Sequence, residues 1–229
     1  MAVYSAKRNY LFLASPQTGS KAIAKTLLEK LDGEQIPSQG ILRNGKIVLS
    51  KHHTTTKMLV HHKLLTEAQV QQAFKFCGVR NPFDLLVSRY EKLRGRHTEA
   101  GKISGHIRKN TRAREVVGFA VELPFPEWVR KAHEQYLAAD KPVMGPMVFV
   151  DSVDHVIRFE ALAQGFQEAL ARLGITEDIP VAEHNVTSQR IDGGQKRDYR
   201  SYYDDATVDL VRKLYAPVIE RFGYGFDPH

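Results

Sequence analysis

Cysteine is almost missing from this chain: Cys77 is the one thiol among 229 residues. A lone cysteine closes no internal disulfide, so the sequence does not read as a disulfide-stapled secreted domain. It lies in an apolar stretch, where a small buried hydrophobe is the expected role. Long apolar runs are missing too. The opening segment MAVYSAKRNYLFLASP holds a run of only five such residues, Tyr10–Ala14. That is too short for the core of a signal peptide or for a membrane span. The ten histidines are not matched by cysteines, and neither an HExxH pattern nor a carboxylate-paired spacing is present. No metal is therefore expected. Repeats and low-complexity tracts are absent.

What is present in excess is positive charge. Thirty-three Lys and Arg against 26 Asp and Glu give a net charge of +7 and a pI near 9.4. The balance favours anionic partners: nucleotides, acidic glycans or nucleic acid. Much of the excess sits in residues 94–114, RGRHTEAGKISGHIRKNTRAR, with seven basic residues and one Glu. The segment reads either as a solvated face or as an acceptor-binding or lid segment. The length suits one domain with a full core, or two small domains, and 42% hydrophobic and 26% charged residues are ordinary for a globular protein.

The periodicity alternates strands with helices. Strands are expected at Tyr10–Ala14, Ile47–Leu49, Phe74–Val79, Met147–Val150 and His155–Phe159. Helices are expected at about 19–31, from a capping box at Thr66–Gln69, and at 83–93, 126–138 and 162–173. A single last helix carries Val208, Val211, Tyr215, Val218 and Phe222 and stops at Gly223. Residues 95–125 are ambiguous, and 176–203 are polar without a period. Alternation of this kind predicts a mostly parallel sheet covered on both faces.

Two segments carry chemistry. The first strand ends in Ala14-Ser15-Pro16-Gln17-Thr18-Gly19-Ser20-Lys21, followed by a helix. A strand, a Gly-containing turn and a helix N-terminus form an anion site, because unpaired N–H groups and the helix dipole point at the ligand. Ser20 and Lys21 stand in the reverse of the Walker A order. One helix position rotates a side chain by about 100°, so Lys21 does not point where a Walker lysine does. The second segment is FCGVRNPFDLLVSRY, 76–90. Arg80 ends a strand, Pro82 opens a helix and Ser88 lies about two turns in. A guanidinium with a hydroxyl makes a good phosphate-monoester site.

The string RNPFDLLVSRY resembles the pattern RNPxxRLVSxY of sulfotransferases that use 3′-phosphoadenosine 5′-phosphosulfate (PAPS), with Leu85 in place of an Arg. The resemblance implies that Arg80 and Ser88 hold the 3′-phosphate of PAPS, or of its product PAP. Residues 16–21 are similar to the family's 5′-phosphosulfate loop PKTGGTS: Pro16, Thr18 and Gly19 match, while Gln17, Ser20 and Lys21 replace a lysine, a glycine and a threonine. The resemblance assigns this loop, Pro16 through Lys21, to the 5′-phosphosulfate. It leaves open whether Lys21 supplies the charge that Gln17 lacks. Val156–Leu162 resembles the family's VxRFExL turn, and residues 199–226 its ending. In the late loop Asn185–Arg200 the implied phosphate contacts are Ser188, Arg190, Lys196 and Arg197.

The resemblance implies an α/β sulfotransferase fold, a P-loop-like, mostly parallel sheet flanked by helices, with 1–229 as a single domain. It implies sulfuryl transfer from PAPS to an acceptor hydroxyl on a carbohydrate or other small molecule, an acidic glycan among them, without a metal. A base must take the acceptor proton. His53 and His52, in Lys51-His52-His53-Thr54, are the candidates, His53 favoured. Lacking the anchor of the family's Golgi members, the chain is expected to be a bacterial-type cytoplasmic enzyme. A chain trimmed of its anchor is the other reading. The rival functions are a P-loop kinase or NTPase using Asp151 for magnesium, a nucleic-acid-binding protein using 94–114, and a PAPS-binding protein that transfers nothing. Nucleic acid is not an expected partner.

Overall fold

The structure, a computed structural model, describes residues 1–98, 111–182, 191–192 and 195–227. In chain order the elements are β1 (Ala2–Ser5), β2 (Tyr10–Leu13), α1 (Ser20–Lys30), β3 (Glu34–Ile36), β4 (Ile41–Arg43), β5 (Lys46–Leu49), α2 (Thr56–His61), α3 (Glu67–Gln72), β6 (Phe74–Val79) and α4 (Pro82–Thr98). There follow α5 (Thr111–Glu122), α6 (Phe125–Ala132), α7 (Glu134–Ala138), α8 (Met147–Val150), β7 (His155–Arg158), α9 (Leu162–Arg172), β8 (Ile191–Asp192), β9 (Gln195–Lys196), α10 (Asp205–Leu214) and α11 (Ala216–Phe222). They divide into two compact units, one of residues 1–80 and 145–184, the other of 81–144 and 185–229.

The first unit is built on a five-stranded sheet in the order β3-β1-β2-β6-β7. β2, β6 and β7 pair in parallel, while β1 runs antiparallel to both β2 and β3. Four of the five strands thus point one way, the mostly parallel sheet that the alternation predicts. All four residues of β2 are buried, Leu11 and Leu13 as fully as Tyr10 and Phe12. Burial on both faces is what a continuous apolar strand at the centre of such a sheet requires. On one face Val3, Tyr10, Phe12, Phe76 and Ile157 meet Ile23 and Leu27 of α1 and Phe166 and Leu170 of α9. α3 opens with the capping box, the Thr66 hydroxyl accepting from Gln69 N and the Gln69 side chain accepting from Thr66 N.

The second unit is helical. Phe83, Leu86, Val87 and Tyr90 of α4 pack with Trp128 and Val129 of α6 and with Val208 and Val211 of α10. The Tyr203 hydroxyl donates to the Phe83 carbonyl at 2.9 Å, and Asn81 Nδ2 donates to the Gly225 carbonyl at 2.9 Å. α11 stops at Gly223, whose φ of 60° places it in the left-handed region.

Four expectations need correction. β1 was not foreseen: Ala-Val-Tyr-Ser is too short to show a period, and its pairing with β2 forms it. Met147–Val150 is a helix rather than a strand, because Pro146 at φ −63° starts it and four apolar residues in a row do not distinguish the two. Asp151 therefore follows a helical turn, without the strand a Walker B aspartate needs. The last helix is two, since Pro217 cannot donate to the preceding turn. The helix expected over 126–138 likewise breaks at His133.

His133 has a structural task. It is 3% exposed, and its Nδ1 donates to the Val129 carbonyl at 2.8 Å while Nε2 accepts from the Tyr215 hydroxyl at 3.0 Å. Burial holds its pKa down at about 4 and pushes Tyr215 up to about 12. The unfolded chain, with a histidine near 6.5, takes up the proton first. Stability is thus whole above pH 6.5 and is lost as the pH falls towards 4. Linkage gives a loss of roughly 2 kcal/mol between pH 7 and pH 5. Urea unfolding at the two pH values should show it, and His133→Gln should flatten the slope. An unchanged slope in that variant would place the proton uptake elsewhere.

Candidate active site

Three adjacent parallel strands, β2, β6 and β7, deliver their C-terminal ends to one edge of the sheet in the first unit. That is the edge at which open α/β sheets bind ligands. β2 leads into the loop Ala14–Gly19, β6 into Arg80 and β7 into Phe159.

The loop is held from inside by hydroxyls. Ser15 Oγ donates to the Gly78 carbonyl on β6. Thr18 Oγ1 lies 3.1 Å from the Ser15 carbonyl and 2.9 Å from Ser15 Oγ, and Ser20 Oγ lies 2.5 Å from the same carbonyl and 2.6 Å from Thr18 Oγ1. All three residues are buried. Each hydroxyl proton finds an acceptor within the cluster, so Thr18 and Ser20 brace the loop rather than reach out of it. What the loop offers a ligand is backbone. Among the described residues the N–H groups of Gln17 and of Gly19 through Lys21 donate to no protein acceptor, while that of Thr18 closes a turn on Ser15. Gln17 at φ 61° and Gly19 at φ 74° turn the chain into α1, an eleven-residue helix with no acid in its first turn. Successive amides at a helix N-terminus form an anion cradle.

Two glycines permit this. A Cβ on Gly19 would lie 2.8 Å from Leu162 Cδ2, and one on Gly78 would lie 2.5 Å from Thr18 Oγ1. Gly78→Ala should therefore push the loop off β6. Overpacking costs about 1–3 kcal/mol, whereas alanine in a strand otherwise stabilises by roughly 0.5–1 kcal/mol over glycine. A lower melting temperature is the expected result, and a raised one would show that the close approach is not needed.

Arg80 is 6% exposed. Its Nη1 donates to the Gln17 carbonyl at 3.1 Å, and its guanidinium stacks 3.9 Å from the centre of the Phe159 ring. A permanent cation is thus fixed behind the loop. Gln17 Oε1 is buried and accepts no hydrogen bond. Pro16 and Lys21 are exposed.

His52 and His53 lie on a bend after β5, both exposed, with rings 6.3 Å apart. They do not alternate as residues on a strand end would, because His53 takes a φ of 56°. His53 Nδ1 lies 3.1 Å from the Ala14 carbonyl, at the start of the loop. The carbonyl can only accept, so Nδ1 carries the proton and Nε2 is the basic nitrogen of the neutral ring. The pKa of His52 is lowered, first by desolvation and then by positive charge from the N-terminus, His53, Lys51 and Lys21. Lys21 is thus near enough to His52 to be felt.

Ser88 lies in α4 of the second unit and is buried. Arg197 is exposed, its guanidinium 5.7 Å from the Tyr202 ring centre within that unit. Ser188 and Arg190 lie outside the described residues, as does most of the basic segment (99–110), and Lys196 is described in its backbone alone. Among the described residues no group of three or more His, Cys, Asp or Glu is placed to hold a metal ion, and no helix is long and apolar enough to cross a membrane. Sequence reasoning missed Ser15, Gly78 and Phe159. The signal for Gly78 was legible: a glycine in the buried strand FKFCGV marks a close backbone approach.

A family profile described as the sulfotransferase family matches residues 3–225, and the chain belongs to that family. No protein of curated function matches it. One solved structure it resembles is mouse sulfotransferase SULT7A1 complexed with PAP, at 15% identity over 96% of this chain and 87% of that one, with a TM-score of 0.41.

Proposed function

We propose that the protein transfers a sulfuryl group from PAPS to the hydroxyl of a carbohydrate or other small molecule. The observation that carries the reading is the row of amides from Gln17 to Lys21 at the start of α1, with Arg80 locked behind it. A doubly anionic phosphosulfate suits such a cradle. The match of the family across residues 3–225 supports reading both units as one sulfotransferase-like domain.

Pro16–Lys21 enclose the 5′-phosphosulfate, chiefly through backbone N–H groups. Arg80 and Ser88 take the 3′-phosphate, an assignment that rests on RNPFDLLVSRY. Ser188, Arg190, Lys196 and Arg197 are further phosphate contacts on the same ground. His53 Nε2 accepts the proton of the acceptor hydroxyl as its oxygen bonds to sulfur, while the sulfur–oxygen bond to the phosphate breaks and its electron pair stays on PAP. The amides and Lys21 meet the charge that develops there.

Calorimetry with PAP, ADP and ATP tests the reading. PAP should bind at least about tenfold more tightly than ADP, since a charge-assisted phosphate contact is worth about 1.5–3 kcal/mol. Arg80→Ala should remove that preference and change ADP affinity far less; a purely structural loss would weaken both alike. Equal affinity of the native protein for PAP and ADP would sink the assignment.

A further inference from the structure

β4 and β5 form a hairpin outside the main sheet, closed by Asn44 and Gly45 with φ values of 51° and 73°. Two left-handed residues make the turn whose twist suits a two-residue hairpin. The pairing runs Ile41 with Leu49, Leu42 with Ile47 and Arg43 with Lys46, which leaves Val48 as an extra residue, a bulge. A bulge re-aims the side chains on either side of it. Leu49 is accordingly 3% exposed, while Ile47 and Leu42, directly opposite each other, are both 63% exposed and Val48 is 43% exposed. Large aliphatic chains thus sit together on one small ribbon and are not spent on its own core. Clustered exposure of this kind marks a contact surface.

Two features say what the surface meets. Residues 41–53, ILRNGKIVLSKHH, hold Arg43, Lys46 and Lys51 and no Asp or Glu. Strand β5 also runs through Ser50, Lys51 and His52 into His53, whose ring is fixed to the Ala14 carbonyl beside the phosphate loop. The apolar face, the cations and the base belong to one continuous stretch of chain.

We infer that the outward face of this hairpin, Leu42, Ile47 and Val48, binds the apolar body of the acceptor, and that the acceptor is an anionic amphiphile bearing a hydroxyl. This rests on the sulfotransferase reading and narrows its substrate class. The aliphatic side chains cover the acceptor's apolar part, Arg43 and Lys51 attract its acidic group, and its hydroxyl lies at His53. An uncharged or fully polar acceptor would leave one of these features without use.

The test is titration of the PAP-saturated protein with 12-hydroxydodecanoate, 4-hydroxybutanoate and dodecane-1,12-diol, all below micellar concentration. The two acids share their end groups and differ in apolar length, and the diol lacks the charge. The long acid should bind at least about tenfold more tightly than the short one, and more tightly than the diol at low salt. Leu42→Ser with Ile47→Ser should reduce the length preference to less than about threefold, with PAP affinity and melting temperature held. Both side chains are exposed, so the variant should fold. Equal binding of the two acids, or a preference that survives the double substitution, would overturn the inference while PAP binding upheld the reading beneath it. A native dimer that the double variant splits would assign the face to a second copy of the chain. Hairpin-dependent binding to anionic phospholipid vesicles, with no response to the soluble acids, would assign it to a bilayer. Either result would overturn the inference. Failure of the native protein to bind PAP would remove both readings at once.

Discussion

His53→Asn should lower turnover by roughly 10²–10⁴ and leave PAP affinity nearly unchanged, the range expected on losing a positioned general base. Asparagine is the informative substitution here. Position 53 has a φ of 56°, a region asparagine adopts at less cost than alanine. An Asn side-chain amide can also still donate to the Ala14 carbonyl, which His53 Nδ1 approaches at 3.1 Å. The bend is kept and the basic Nε2 is lost. His52→Ala should cost turnover little, because that ring has no hydrogen bond to the loop to orient it. Steady-state turnover on any hydroxyl acceptor that the native protein sulfates decides the matter. Full turnover in His53→Asn would move the base elsewhere. A large loss in His52→Ala alone would exchange the two assignments.

The order of His52 and His53 shows how far sequence reading reaches. The pair His52-His53 is proposed as the source of the base from residue type and from its position between the first strand and the strand that ends in Arg80. Strand alternation, by which only one of two successive residues would face the site, does not choose between them, because the two residues lie on a bend. The reason for His53 is its bond to a carbonyl 39 positions away in the chain, a tertiary contact no local pattern carries. Phe74–Val79 matches β6 to the residue, since Arg-Asn-Pro after an apolar run leaves little freedom in where the strand ends. β1 and the helical Met147–Val150 were not legible, because both are short and owe their form to a pairing partner or to Pro146. In the loop Ala14–Gly19 the strand–Gly–helix order was legible. The task of the hydroxyls was not. The resemblance aims Thr18 and Ser20 at the ligand, whereas their protons turn back on Ser15, itself fastened to β6 through Gly78. A motif preserves which residues a loop needs without saying which of them touch the ligand and which keep the loop in shape.

Lys21→Ala should reduce turnover by about 10²–10³ and change PAP affinity by no more than a few-fold. This is the mark of an interaction that strengthens as charge develops on the departing phosphate. The family places a lysine at position 17, and this chain has Gln17, whose carbonyl is held by Arg80 and whose Oε1 is buried. A neutral amide so placed supplies no charge. Lys21 stands second in α1, exposed, one residue beyond Ser20 whose hydroxyl is turned inward. Its flexible four-carbon stem lets an exposed ammonium reach back to the helix N-terminus, and its charge is already felt at His52. The companion substitution separates the two ways in which the chain could manage without the family's lysine. If Lys21 supplies the cation, Gln17→Lys adds a charge where one is present and changes turnover little. If it does not, Gln17→Lys raises turnover clearly and Lys21→Ala is silent. Single-turnover rates with saturating PAPS remove product release from the comparison. A silent Lys21→Ala in a protein with brisk native turnover would show that the amides of residues 17–21 carry the leaving-group charge unaided.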